Sequence, residues 1–209
     1  MSVLTKDEIL KRIKDKNLAF DPVLDQFQFQ AHSVDLRIGY KFLVYKDWNL
    51  TKEGRVALQF DYGKTNEHFE VIELKDGQYF EILPQENVVV STLEKVKIPN
   101  DLMAVLYPRS SVNRRGLSVD LSGIIDAGYE GSLIVPIRNN TGNQVVRIYP
   151  GERFCQLVFS MLTTPVKPRT SRYAKRDVTA GVLKEINHSE NDLIKSGGLK
   201  KLKKLYPAK

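Results

Sequence analysis

The chain has 209 residues, 42% hydrophobic and 27% charged, room for one domain with a core or for one domain and a tail. Its net charge of +7 is unevenly held: the 43 residues from Lys167 carry 12 Lys and Arg against 4 acidic residues, and the first 166 carry 20 against 21. That balance excludes a generally basic, polyanion-binding body, and any contact with nucleic acid is expected only through the basic tail.

No apolar run approaches the roughly 18 residues of a membrane span, and the charged N-terminus lacks a signal-peptide core. The single cysteine, Cys155, excludes an intramolecular disulfide and a multi-cysteine zinc site. The expectation is a cytoplasmic protein that does not engage a membrane.

Thr5-Lys6-Asp7-Glu8 has capping-box spacing, and Leu4, Ile9, Leu10 and Ile13 follow at helical spacing. They predict an amphipathic helix over residues 5–16, broken by Asp21-Pro22. From Ser33 to about Thr163 the runs are strand-like: Val34–Ile38, Tyr40–Tyr45, Val56–Phe60, His68–Leu74, Gln78–Ile82, Asn87–Thr92, Met103–Tyr107, Ser132–Arg138, Gln144–Ile148 and Arg153–Met161. Asp76-Gly77, Pro99-Asn100, Thr141-Gly142 and Pro150-Gly151 mark turns between them. With no long helical pattern between these runs, the prediction is an all-β sandwich or barrel.

Lys46–Asn66, which contains Trp48, reads as an insertion that lengthens a hairpin. Residues 1–166 read as the β domain with its helix, 167–185 as a C-terminal lid or arm, and 186–209 as a solvated, partly disordered basic tail.

Four segments carry chemistry. In Tyr107-Pro108-Arg109-Ser110-Ser111-Val112-Asn113-Arg114, two hydroxyls lie between two arginines after a strand-stopping proline, which suits an oligophosphate. Taken alone, such a stretch is more simply a solvated polar turn. Asp126, in Gly123-Ile124-Ile125-Asp126-Ala127-Gly128-Tyr129-Glu130-Gly131, precedes a tight hairpin and alone would be a turn former. Asp35 and Arg37, in Ser33-Val34-Asp35-Leu36-Arg37-Ile38-Gly39, share a strand face and are expected to form a partly buried ion pair. Gln156, in Gly151-Glu152-Arg153-Phe154-Cys155-Gln156-Leu157, is an amide in an apolar run and needs a partner. Cys155 reads as a core residue. His32, His68 and His188 are scattered, which excludes a His/Cys zinc deaminase on ligand count.

In this order and spacing the four segments resemble the superfamily of trimeric dUTP diphosphatases (dUTPases) and dCTP deaminases, over residues 3–180. Ser33–Gly39 and Arg114 look most like the deaminase branch with its archaeal-type dUTPases. The resemblance implies a distorted double-layer β-barrel with a short N-terminal helix and a C-terminal arm. It also implies a homotrimer with active sites at subunit interfaces. Arg109, Ser110, Ser111 and Arg114 would grip the triphosphate, and Asp126 would hold the attacking water. Main chain around Ile124 and Ile125 would read the pyrimidine, and Tyr129 would pack on the deoxyribose. Gln156 would contact the nucleotide or brace the phosphate loop. Asp35 would act indirectly, through structure or waters around Mg²⁺. Ser171–Arg176 resembles the deaminase lid, so Arg172 and Arg176 would reach the phosphates with Tyr173 beside them.

The two branches differ in what reacts. Deamination at C4 needs a carboxylate to shuttle protons, and deaminases of the family carry a Glu ten residues after the hairpin Asp. Here that position is Pro136, which moves no proton, and Glu130 is the nearest carboxylate along the chain. Triphosphate hydrolysis needs an aligned water and neutralised phosphate charge, for which every protein group is present. The favoured expectation is a Mg²⁺-dependent dUTP diphosphatase forming dUMP and pyrophosphate. The alternatives are a dCTP deaminase, bifunctional and dUMP-forming included, or a non-catalytic nucleotide-sensing protein on the same scaffold.

Overall fold

The computed structural model describes residues 2–58, 69–120, 123–167 and 188–207. Its first element is helix α1 (Lys6–Lys14). The Thr5 side chain accepts from the Glu8 N–H at 3.4 Å, and Glu8 Oε2 accepts from the Thr5 N–H at 2.8 Å, closing the expected capping box. Ile9 is fully buried, and the Leu4 N–H donates to the Phe159 carbonyl at 3.0 Å, which ties the helix to the sheet.

The strands that follow are β1 (Ala19–Asp21), β2 (Val34–Tyr45), β3 (Trp48–Thr51), β4 (Gly54–Ala57), β5 (Phe69–Glu73), β6 (Phe80–Ile82), β7 (Asn87–Lys97) and β8 (Leu102–Pro108). The short helix α2 (Ser110–Asn113) leads to β9 (Leu117–Val119), β10 (Ile124–Ile125), β11 (Glu130–Asn139), β12 (Val146–Ile148) and β13 (Arg153–Met161). Nine strands form one curled sheet in the order β10-β8-β13-β2-β7-β11-β9, with β1 on β7 and β5 on β2. Pairings along that path are antiparallel, and β12 with β6 and β3 with β4 make two-stranded ribbons. The all-β expectation holds, and β1, β3, β9 and β10 are the strands the sequence reading misses.

Core side chains come from alternating strand positions. Phe42 stacks on Phe80 at 4.7 Å, Phe20 meets Phe159 edge-on at 6.4 Å, and Leu36, Ile137, Phe154 and Leu157 fill the space between. Cys155 is buried among them, as expected, and burial pushes its thiol well above the usual range. Along β11 the parity is strict: Leu133, Val135 and Ile137 are buried, while Ile134, Pro136 and Arg138 are half-buried on the other face. The irregularity of β11 against β7 falls between Ser132 and Ile134, so Pro136 needs no bulge. Its missing N–H falls opposite Asp120, just past the end of β9.

The described residues divide between two compact units, one drawn from Met1–Tyr45 and Glu70–Thr179, the other from Lys46–Phe69 and Ala180–Lys209. In the second, β3 and β4 form a hairpin in which Arg55 lies over the Trp48 ring at 5.0 Å. Helices α3 (His188–Lys195) and α4 (Leu199–Leu205) pack on each other where a partly disordered tail is expected. Leu202 of α4 is half-buried, while Leu199 and Leu205 are exposed. Among the described residues no helix is long and apolar enough to cross a membrane.

Gly39 joins two predicted strands into β2, because no side chain fits there. A Cβ would lie 2.8 Å from Ser91 Oγ and 3.0 Å from the Ser91 carbonyl oxygen of β7. Gly39→Ala is expected to destabilise the protein by about 1–3 kcal/mol, read as a lower urea midpoint with an unchanged m-value.

Candidate active site

Pro108 ends β8, and Arg109 turns the chain into α2. The buried Val112 anchors this turn, and the Arg109 N–H donates to the Phe154 carbonyl at 3.1 Å. Ser110 and Ser111 are exposed and, as the first residues of α2, leave their N–H groups without intrahelical partners. Arg114 is exposed and its side chain makes no hydrogen bond or ion pair among the described residues. The neighbouring Arg115 forks onto Glu152 with two 3.0 Å bonds, so Arg114 is the guanidinium left for a ligand.

Behind this turn Asp35 is only 1% exposed. Its Oδ2 lies 3.0 Å from Arg109 Nε and 3.2 Å from Arg153 Nη1, and accepts from Gln30 Nε2 at 3.2 Å. Burial pushes the Asp35 carboxyl up, and the guanidinium groups of Arg109 and Arg153 oppose that. The expected Asp35–Arg37 pair does not form. Asp35 is instead held by Arg109 from the turn after β8 and by Arg153 from the start of β13, and Arg37 pairs with Asp25 from the loop before β2 at 2.6 Å. Gln156, opposite Asp35, accepts from Ser33 Oγ at 3.1 Å. A second buried carboxylate, Glu94, accepts from Gln28 Nε2 at 2.7 Å and from the Arg37 N–H at 2.9 Å, and burial pushes it up as well.

The hairpin residues lie elsewhere. Ile125 is buried, Ile124 is 62% exposed and Asp126 is exposed. Gly128, at φ 79, allows the tight turn in which the Tyr129 N–H donates to the Asp126 carbonyl at 3.2 Å. The Tyr129 hydroxyl donates to the Ser132 carbonyl at 2.7 Å, and burial pushes its phenol up to about 12. Because Ile125 pairs with Ala104, Asp126 lies abreast of Met103, six residues of β8 from Arg109. At strand rise that is on the order of 20 Å. One chain brings Asp35, Arg109, Ser110, Ser111, Arg114 and Gln156 together and holds Asp126, Ile124, Ile125 and Tyr129 apart from them. Arg172, Tyr173 and Arg176 lie outside the described residues.

Two residues escape the sequence reading. Arg153 was visible in the Gly-Glu-Arg turn, but the β13–β2 register sets it opposite Arg37, and its partner Asp35 is seen only in the folded contacts. Asp120 corrects the choice of Glu130 as the carboxylate closest to position 136. Glu130 lies 3.6 Å from Lys97, whereas the Asp120 N–H donates to the Pro136 carbonyl at 2.9 Å.

A family model described as dCTP deaminase-like matches residues 3–162. The chain belongs to the dCTP deaminase-like family. It is 34% identical over 183 residues to the dUMP-forming dCTP deaminase of Methanobrevibacter smithii, covering 84% of this chain and 92% of that one. It is 35% identical over 167 residues to the dUMP-forming dCTP deaminase of Dictyoglomus turgidum, covering 79% and 83%. The crystal structure of the Agrobacterium tumefaciens dCTP deaminase shares the fold at a TM-score of 0.58 and 24% identity, over 75% of this chain and 46% of that longer one. This member of the family is accordingly an enzyme of the dCTP deaminase and dUTPase superfamily, with a deoxypyrimidine nucleotide as the implied substrate class.

For a metal, the described residues of this dCTP deaminase-like chain contain no group of three His, Cys, Asp or Glu side chains. The single candidate ligand in the cluster is Asp35 Oδ1, buried without a hydrogen-bond partner. One carboxylate oxygen fits an ion held mainly by substrate phosphates and water, as Mg²⁺ commonly is.

Asp35→Ala leaves two guanidinium groups without their buried anion and is expected to cost about 3 kcal/mol or more of unfolding free energy in urea. A second test concerns pH. Glu94 has its carboxyl raised above 4.5, so the folded chain binds its proton more tightly than the unfolded chain does. Its contribution to stability is present at and below that ordinary value and is lost as pH rises through the raised one. Glu94→Gln should therefore make the slope of unfolding free energy against pH less negative in that window than in the parent protein.

Proposed function

We propose that this protein hydrolyses a deoxypyrimidine nucleoside triphosphate between its α and β phosphates, converting dUTP and water to dUMP and pyrophosphate. The observation that carries the reading is the end of β8. There, exposed Ser110 and Ser111 and an unpaired Arg114 stand on a turn that Asp35 braces through Arg109. Such a turn offers hydroxyls, free N–H groups and a guanidinium to an oligophosphate without further rearrangement.

Arg109 positions the turn and keeps part of its guanidinium for the phosphates. Asp126 orients the attacking water toward the α-phosphorus. Since one chain separates Asp126 from the phosphate turn, a neighbouring copy supplies it, and a closed homotrimer provides three equivalent sites. Main chain at Ile124 and Ile125 reads the pyrimidine, Tyr129 packs on the sugar, and Gln156, whose side-chain oxygen accepts from Ser33 Oγ, contacts the nucleotide or braces the phosphate loop. Mg²⁺ would be held mainly by the substrate phosphates, with Asp35 acting on it indirectly by bracing the turn, and would supply charge neutralisation for the leaving pyrophosphate.

A second reading is favoured by the relatives, whose names make dCTP their substrate and dUMP their product. Going from dCTP to dUMP requires loss of both the C4 amine and pyrophosphate. The phosphate half is the reaction proposed here, and the base half depends on an acid–base group near position 136.

Incubation of the pure protein with dUTP and Mg²⁺ is expected to release pyrophosphate and dUMP; absence of both would refute the reading. Asp126→Asn should lower kcat by about 100-fold or more with nucleotide binding retained by calorimetry. Arg114→Ala should raise KM and lower kcat together, since the phosphate charge grows toward the transition state.

A further inference from the structure

The ribbon of β6 and β12 carries an exposed face that the proposed reaction does not use. Its register pairs Ile82 with Val146, Glu81 with Arg147 and Phe80 with Ile148. Phe80, Ile82, Val146 and Ile148 are buried, and Phe80 stacks on Phe42 of β2. Strand alternation turns the intervening residues outward, and Tyr79, Glu81, Leu83, Val145, Arg147 and Tyr149 are all exposed. They form three cross-strand rungs. Tyr79 meets Tyr149 edge-on at 5.7 Å, Glu81 Oε1 accepts from Arg147 Nη2 at 2.8 Å, and continuing the register sets Leu83 opposite Val145.

The face is ordered before anything covers it. The Arg147 guanidinium lies 3.8 Å from the centre of the Tyr79 ring, which fixes both side chains. Asn139 is fully buried, and its Nδ2 donates to the carbonyls of Ile82 at 2.9 Å and Gln144 at 2.8 Å, pinning both strands at the aliphatic rung. Ordered side chains lose little entropy on docking, and Tyr and Arg are the types that dominate interface energetics. One cation matched by one anion leaves no excess charge to attract a polyanion.

Self-complementarity identifies the occupant. A two-fold axis along the strands, in the plane of contact, sets β6 of one copy over β12 of another. Tyr79 then faces a tyrosine, Glu81 an arginine and Leu83 a valine, and the same three contacts recur on the other side of the axis. Covering the face leaves every ion with an opposite charge.

We propose that the outer face of the β6–β12 ribbon is an isologous docking surface for a second copy of this chain. Such a contact closes at two copies, so it differs from the three-fold contacts of a trimer and joins one assembly to another. It is independent of the reaction proposed above.

The test is analytical ultracentrifugation of the full-length protein, of E81R and of R147E. On this face E81R presents two guanidinium groups and R147E two carboxylates, so each variant repels its own copies and attracts the other variant. Between about 1 and 500 μM, a range suited to a contact this small, the parent protein is expected to rise to at least about twice the mass of either variant alone. Each variant alone should keep one mass throughout, and their equimolar mixture should regain the doubling. Regain in the mixture separates loss of the contact from loss of folding. A parent protein that stays at the mass of the variants, or a mixture no heavier than its components, would overturn the proposal.

Discussion

The length of β8 is the constraint on which the site depends. The strand is paired along one side with β13 and along the other with β10, and it cannot shorten without breaking those ladders. At one end Pro108 terminates it and Arg109 turns into the serine-bearing helix start; at the other, β10 sets Asp126 abreast of Met103. A rigid spacer of that length separates phosphate recognition from the hairpin carboxylate. On the function proposed above, catalysis by this arrangement belongs to an assembly of copies.

The electrostatics follow from how each end is held. At the phosphate end a buried anion fixes two cations, and the Arg109–Asp35–Arg153 contacts join the turn after β8 to β2 and β13. Glu94 repeats the device one strand over, tying β7 to the backbone of β2. Both carboxyls are pushed up by burial, so the network is held in place by its hydrogen bonds and counter-charges against a desolvation penalty. At the hairpin end no such network exists among the described residues, and Asp126 and Asp120 remain exposed.

Much of this was legible in the chain. The Thr5–Glu8 capping box, the long strands and the burial of Cys155 follow from local spacing and alternation, which are properties of neighbouring residues. The turn after β8 was legible because Pro108, the two serines and the arginines are contiguous. What escaped depends on register. The partners of Asp35 and Arg37 come from the turn after β8, the start of β13 and the loop before β2, far away in sequence, and two-residue strands such as β10 have no periodicity to read. Asp120 is the clearest case. Counting ten residues from Asp126 reaches Pro136 and finds no acid, but folding β9 against β11 brings an acid to that place from the opposite direction along the chain.

The claim that one chain holds only part of each site is tested most directly by mixing two impaired variants. Asp126→Asn keeps an intact phosphate turn, and Arg114→Ala keeps an intact hairpin carboxylate. Co-assembled in equal amounts, they should regain dUTP hydrolysis at about a quarter of all sites, the fraction in which a sound turn meets a sound hairpin from a neighbour. Mixed assemblies that stay as inactive as either variant alone would contradict the account.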